Sequence, residues 1–435
     1  MTSLATPATA STEAATEAVS FDAAELERIR ADFPVLGRRV HGDVPLVYLD
    51  STATSQRPRQ VLDAEREFLQ TSYAAVHRGA HALAEEATEA YEQARAAVAA
   101  FVGVGDDELV WTRNATEGIN LVAAGLTDPD CSLALRPGDE VLLTEMEHHA
   151  NLVPWQRACA RTGATLRWIP VTDEGRLDLE AADALINDRT RVLAVVHASN
   201  VLGTINPVAQ LAARAREVGA LTVLDACQSV PHTPVDVHGL GVDLAVFSAH
   251  KMLGPNGLGG LAGRREVLDA LPPLVTGGSM VDEVTMTTAT FKAPPARFES
   301  GTPAISQTVA LHAAVRYLQA LGRARVAAHE HALTARILAG LDGMPGVRVL
   351  GPTTPDDRVG AVSVVVDGVH PHDVGQVLDA AGVAVRVGHH CAQPVHRRFG
   401  VRSSTRASVY LYSTPAEVDA FLEALAGVRR YFGLA

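Results

Sequence analysis

The chain has 435 residues, 47% of them hydrophobic, so it can bury a large core and is long enough for two domains. Its 37 Lys+Arg against 50 Asp+Glu leave a formal charge of -13. So acidic a chain gains nothing from counterion release on a polyanion, which sets aside nucleic acid and anionic membranes as partners.

Residues 1–20, "MTSLATPATASTEAATEAVS", are rich in Ala, Ser and Thr, contain no Lys or Arg and lack a sustained apolar run. That composition argues against a signal peptide and for a disordered extension. Residues 21–56 then form an N-terminal segment expected to pack with the smaller of two domains. From about residue 57 to 303 helical and strand-like stretches alternate, as where helices cover both faces of a mostly parallel sheet. The helical spacing of "ALAEEATEAYEQARAAVAAFVG" (82–103) is followed by strand-like runs at 108–113, 139–146, 165–171, 191–199, 220–226 and 243–250. Several are apolar enough to be buried on both faces. After "ESGTPAISQ" (299–307) come two long helical stretches, a strand "AVSVVVDG" (361–368), a helix opening at His372, a short strand "VAVRVG" (383–388) and a terminal helix. Residues 304–435 are therefore expected to form a smaller α+β unit. No apolar run is long enough to span a bilayer.

In open α/β sheets ligand-binding groups collect at the carboxyl ends of strands. Thr116, His148 and His149, Asn200, Asp225 with Gln228, and Ser248 and His250 with Lys251 all follow apolar runs and are expected to share one crevice. Lys251, at the end of "VFSAHK", would be partly desolvated there, which suits a lysine to Schiff-base chemistry. A nucleotide loop is the competitor, but here the lysine precedes the glycines of "GPNGLGG" instead of following them, and G-x-G-x-x-G is missed as well. Asp225 ends "LTVLD"; a carboxylate there could cap a helix, bind a metal or keep a pyridinium nitrogen protonated, the ion pair that makes pyridoxal phosphate an electron sink. Thr116 opens a helix, whose N-terminal N–H groups and hydroxyl suit phosphate, and Ser248 and His250 lie on a neighbouring strand. His148 and His149 point to opposite faces of an extended segment, so one at most faces the crevice, which disfavours a shared metal.

The four cysteines, Cys131, Cys159, Cys227 and Cys391, are far apart, with no C-x-x-C pair. They suggest neither a disulfide framework nor thiolate zinc, and fit reduced thiols in the cytoplasm. Cys391 stands out, in the loop "RVGHHCAQP" (386–394) beside imidazoles and Arg386, where a thiolate is favoured over a buried, inert thiol.

Lys251 in "SAHK", Asp225 with Gln228 in "DACQ", His149 in "MEHHAN" and Cys391 in "GHHCA" resemble, in this order, the class V aminotransferase family of fold-type I pyridoxal phosphate enzymes. Within it they are similar to the group II, SufS-type, cysteine desulfurases. The similarity runs through "YLDSTATSQRP" (48–58), "YAAVHRG" (73–79), "TEGINLVA" (116–123), "SNVLGT" (199–204), "RFESGTP" (297–303) and "TRASVYLY" (405–412). It implies an α/β fold with a mostly parallel seven-stranded sheet plus a smaller α+β domain, a homodimer, and conversion of L-cysteine to L-alanine with a persulfide left on Cys391. Lys251 would hold pyridoxal 5'-phosphate covalently and move the substrate's Cα proton. His149 would stack on the ring, Asp225 would pair with the ring nitrogen and Gln228 with the phenolic oxygen. Thr116, Ser248 and His250 would hold the phosphate, joined by Thr302 from the other subunit. Arg406, Asn200 and Arg386 would grip the substrate carboxylate, with His77 lining the same pocket. The sulfur acceptor implied is a small protein of the SufE or SufU type serving iron-sulfur cluster assembly. The family commonly has Gly at the position of Ala249 and Ala at that of Cys227, so a spare thiol is expected near the cofactor. A selenocysteine lyase, another class V enzyme or a non-catalytic sulfur-assembly scaffold are the alternatives.

Overall fold

The computed structural model describes residues 19–434. The expected disordered extension lies outside the described residues apart from Val19 and Ser20, and Ser20 Oγ stands 3.3 Å from His329 Nδ1.

Seven strands form the central sheet: β1 (Leu109–Thr112), β2 (Glu140–Thr144), β3 (Thr165–Ile169), β4 (Thr190–Val196), β5 (Leu221–Asp225), β6 (Leu244–Ser248) and β7 (Gly259–Gly263). Their spatial order is β1-β7-β6-β5-β4-β2-β3. β7 runs antiparallel to both its neighbours, and the remaining pairs are parallel. Alternate side chains feed two separate cores, as the two-residue period of a strand requires. Leu109, Leu142, Leu193, Val195 and Phe247 face one, while Val110, Val141, Leu143, Val192 and Val246 face the other. Both faces of the central strands are covered, which is why their interiors are apolar, whereas the edge strand β3 is largely open to solvent.

β7 has the sequence GGLAG, without a β-branched residue, and its composition is fixed by crowding. A Cβ on Gly260 would lie 2.4 Å from Phe247 Cζ, and one on Gly259 would lie 2.6 Å from the Phe247 carbonyl oxygen. Only glycine lets β7 insert between β1 and β6.

Among the described residues four α-helices precede β2. α1 (Ala23–Ala31) is capped by Asp22, α2 is Arg59–Thr71, α3 (Ala82–Val102) stops at Gly103 with φ 78°, and α4 (Ala115–Gly125) is capped by Asn114 Oδ1 accepting from Glu117 N–H at 3.0 Å. α5 (Ile305–Leu321) lies against α2 and α3, and its Ala310, Leu311, Ala314, Val315 and Leu318 belong to the large core. By packing, α5 thus joins the large unit, although it falls within the stretch 304–435.

The smaller unit holds a four-stranded antiparallel sheet of β8 (Val347–Leu350), β9 (Ala361–Val366), β10 (Arg386–Gly388) and β11 (Ser404–Ser408), ordered β8-β9-β11-β10. α6 (Arg323–Leu341), α7 (Pro371–Ala380) and α9 (Pro415–Tyr431) cover it, and the short α8 (Gln393–Arg398) follows β10. The run 383–388 is split: Val383–Ala384 pairs in parallel with Val47–Tyr48 of the N-terminal segment, whereas Arg386–Gly388 pairs with β11. Val47 and Leu49 accordingly enter the small core. Among the described residues no helix is long and apolar enough to cross a membrane.

Candidate active site

The carboxyl ends of β4, β5 and β6 and the N-terminus of α4 open onto one cavity, closed on the far side by β10, β11 and the loop after β10. Its volume of about 220 Å³ is far above the roughly 10–15 Å³ one water needs, so it is ligand-sized. Lys251, Asp225, Gln228, Asn200, Thr116, Ser248, His250, Arg386, Arg406 and Cys391 all line it. Residues as far apart in the chain as Thr116 and Arg406 thus meet where the sheet topology brings strand ends together.

The floor is buried and pre-organised. Asp225, 3% exposed, accepts from Cys227 N–H at 3.0 Å. Ser248 Oγ accepts from Ala115 N–H at 3.0 Å, tying β6 to the first turn of α4. Thr116 follows at that helix entrance, exposed, where first-turn N–H groups lack intrahelical partners and favour an anion. His250 Nδ1 lies 3.1 Å from Thr54 Oγ1, and burial, with Lys251 and Arg57 nearby, lowers its pKa to about 4. The Cys227 thiol also lines the cavity, 3.9 Å from Ser248 Oγ; burial and the charge of Asp225 push its pKa up to about 12, so it stays a neutral thiol.

Of the adjacent histidines, the cavity takes His148 and not His149. Only one faces in, as the geometry of adjacent residues demands, but it is the first. His148 Nδ1 accepts from Ala150 N–H at 3.0 Å, which fixes the ring and leaves Nε2 as the protonated nitrogen. Burial, then the charge of Lys251, lowers its pKa to about 4, so the ring is neutral at pH 7. His149 turns away: its Nε2 accepts from Gln393 N–H at 3.1 Å, and its backbone N–H donates to the Cys391 carbonyl at 2.6 Å.

Two further expected site residues lie elsewhere. His77, at φ 74°, pairs through Nε2 with Glu92 Oε1 at 2.8 Å and is largely exposed. Thr302 lines a different depression, beside Trp111, Arg113 and Phe298. The loop that carries it is anchored by Glu299, which takes Arg95 Nη1 and Nη2 at 2.7 and 2.8 Å and Trp111 N–H at 2.8 Å.

The wall opposite the floor is cationic. Arg406 is fully buried; Nη1 donates to the Asn200 carbonyl at 2.9 Å and Nη2 to Asp50 Oδ1 at 3.3 Å. Burial lowers its pKa to about 10, which leaves it charged at pH 7. Burial likewise raises the pKa of Asp50, against the pull of Arg406. Cys391 is exposed at the mouth, with φ 56°, next to His390 with φ 50°. Two successive non-glycine residues in the left-handed region are uncommon. Their carbonyls are held from across the cavity, His390 by Asn200 Nδ2 at 2.7 Å and Cys391 by His149 N–H.

Four buried atoms around this space have no hydrogen-bond partner among the described residues: Gln228 Oε1, Asn200 Oδ1, Arg406 Nε and His390 Nδ1. Buried polar atoms are rarely left so, and four residues lining one cavity point to a polar ligand. Thr52, Asn114 and His390 are polar lining residues that the sequence did not single out, and His148 one that it placed near the crevice without a role; nothing in "MEHHAN" or "GHHCA" tells which histidine of each pair turns inward.

A mostly parallel sheet presenting an amine, a carboxylate, an imidazole and a helix N-terminus to one closed space defines an α/β enzyme of the kind that holds a phosphorylated organic cofactor. The chain belongs to the aminotransferase class-V family, whose model matches residues 47–421. It is 56% identical over 416 residues to the probable cysteine desulfurase 2 of Mycobacterium leprae, covering 95% of this chain and 99% of that one. The apo cysteine desulfurase of Thermococcus onnurineus NA1 superposes with a TM-score of 0.88 at 38% identity, over 95% of this chain and 100% of that one. A lysine-to-alanine mutant of C-DES with glycine covalently linked to its PLP cofactor superposes with a TM-score of 0.77 at 25% identity, over 91% and 98% of the two chains.

Proposed function

We propose that the protein is a pyridoxal 5'-phosphate-dependent cysteine desulfurase of the group II type, converting L-cysteine to L-alanine with a persulfide formed on Cys391. The observation that carries this is the convergence of Lys251, Asp225, His148 and Cys391 on a single cavity. The residues present fit the cofactor: the buried Gln228 Oε1 has no partner among the described residues, and the α4 entrance beside Ser248 suits a phosphate. When bound, pyridoxal phosphate supplies an electron sink for the bond-breaking at the substrate's Cα.

The chain's own groups divide the remaining work. Lys251 Nζ is the covalent attachment point and afterwards the base and acid at Cα. Asp225, a buried carboxylate on the cavity floor, would hold the proton of the cofactor's ring nitrogen. His148, neutral and fixed, would take the ring-stacking role expected of His149. Thr116, Ser248 and His250 hold the phosphate, joined by Thr302 from the second subunit of a homodimer. Arg406, with Asn200 and Arg386, binds the substrate carboxylate, which positions the substrate sulfur toward the mouth. There the Cys391 thiolate would attack it, forming the S–S bond of the persulfide as the Cβ–S bond breaks, with the bonding pair left on the substrate carbon, which takes up a proton to become the methyl group of alanine. The exposed Cys391 then passes sulfur to a small acceptor protein of the SufE or SufU type, in the cytoplasm, for iron-sulfur cluster assembly.

The test is incubation of the purified protein with pyridoxal phosphate and L-cysteine. Visible absorbance of the bound cofactor and alanine formed in proportion to released sulfur are expected. A folded protein that takes up the cofactor and forms no alanine contradicts the assignment.

A further inference from the structure

His390 lies in the wall beside Cys391 and is 4% exposed. Its Nε2 is 3.0 Å from Ser404 Oγ, and the same oxygen is 3.0 Å from His396 Nε2. His396 Nδ1 in turn lies 2.9 Å from the Ala392 carbonyl. A carbonyl only accepts, so His396 carries its proton on Nδ1. Burial lowers the pKa of His396, which keeps the ring neutral and makes its Nε2 an acceptor. The single Ser404 hydroxyl hydrogen is therefore spent on His396, and His390 Nε2 must donate to Ser404. His390 Nδ1 is then a bare lone pair, and it has no partner among the described residues.

The lone pair needs a donor, and the described residues supply none. Burial and the flanking Arg406, His396 and Arg386 hold the His390 pKa down to about 2, so a proton from water does not fill the place. The ligand must bring the hydrogen. Resting on the desulfurase reading, the substrate has three polar groups. Its carboxylate has nothing to donate and is taken by arginine. Its amine belongs at Lys251, on the floor. Its thiol must reach the mouth to meet Cys391, whose backbone is continuous with that of His390. Free cysteine thiols have a pKa of about 8.5 and arrive protonated at neutral pH.

We propose that His390 Nδ1 accepts the hydrogen of the substrate thiol, and that Ser404 and His396 act as positioning residues that hold His390 in the tautomer this requires. The contact aligns the substrate sulfur with Cys391. It also favours a thiol over a hydroxymethyl or methyl side chain by length and by the presence of a donor.

Two substitutions separate this role from a structural one. His390→Asn places a carbonyl oxygen near the position of Nδ1 and abandons Ser404, whereas His390→Gln keeps an amide at Nε2 for Ser404 and leaves no acceptor at Nδ1. For L-cysteine, kcat/KM is expected to fall about 10–100-fold in His390→Gln, the loss for one hydrogen bond to substrate, and by less in His390→Asn. Equal losses, or the reverse order, overturn the proposal, since a purely structural histidine needs Ser404 and not the lone pair. The second readout is independent of turnover. In cofactor-loaded protein labelled with ¹⁵N-histidine, His390 is expected to be protonated on Nε2, and its Nδ1 signal to move with L-cysteine but not with L-alanine. Protonation on Nδ1, or equal responses to the two amino acids, overturns it. Absence of alanine formation by the parent protein would instead sink the desulfurase reading and leave the tautomer result standing.

Discussion

Asp225, Ser248 and Lys251 stand at the ends of β5 and β6, whose residues are buried almost throughout, while Cys391 is exposed on a loop whose two central residues are in the left-handed region. The floor gains its geometry from the sheet and needs little from individual turns. The loop has no ladder to fix it; contacts from across the cavity, Asn200 to His390 and His149 to Cys391, supply the constraint. In the proposed function a cofactor site and a sulfur-delivering thiol have opposite needs, one for desolvation and the other for access, and the two regions would divide them.

The sharpest way to break the comparison is at the floor. Lys251→Ala is expected to lower alanine formation on the order of 10³-fold or more, as losses of a covalent catalytic group do. A near-parental rate in a dialysed sample would place the covalent attachment elsewhere. The histidine pair sharpens the boundary between the regions. His148→Ala is expected to cost about 10²-fold in kcat, because its ring faces the reacting centre, whereas His149→Ala, which keeps the backbone contact to Cys391, is expected to cost only a few-fold through loss of the Nε2 contact to Gln393 N–H. The reverse order, read from the same steady-state assay, would return the ring-facing role to His149.

The smallest effect concerns stability and distinguishes buried imidazoles from exposed ones. Burial lowers the His197 pKa to about 4 and that of His390 to about 2, against 6.5 when unfolded. The unfolded chain therefore binds more protons below neutrality, and stability falls as pH falls from about 6.5 toward 4. At pH 5 each group costs about 2 kcal/mol relative to pH 7. A melting temperature that drops between pH 7 and pH 5, with less of a drop in His197→Phe, is expected; an unchanged or rising one would contradict the assignment of neutral rings.

Much of this was legible in the chain. The runs at 220–226 and 243–250 became β5 and β6, and ten expected residues share one cavity, because continuous apolar strands ending in polar residues have few other ways to fold. β7 was not read as a strand from its residues: GGLAG lacks every strand preference, and its glycines answer to Phe247, which is distant in sequence. The run 383–388 looked like one strand because alternation does not report that its halves pair in different sheets. His149 was taken over His148 since the period of two gives opposite faces without saying which is inward; the Ala150 N–H contact of His148 settles that locally. His390 was passed over beside Cys391 because its role depends on Ser404 and His396, a network that only tertiary structure assembles.

The most direct measurement is the mass of the peptide carrying Cys391 after the cofactor-loaded protein meets L-cysteine in the absence of reductant and acceptor. One additional sulfur atom on Cys391, formed with one alanine per active site and absent from Cys227, is the expected result. Alanine released with Cys391 unmodified, or with the added sulfur on Cys227, would contradict the division between a buried floor and a reactive loop.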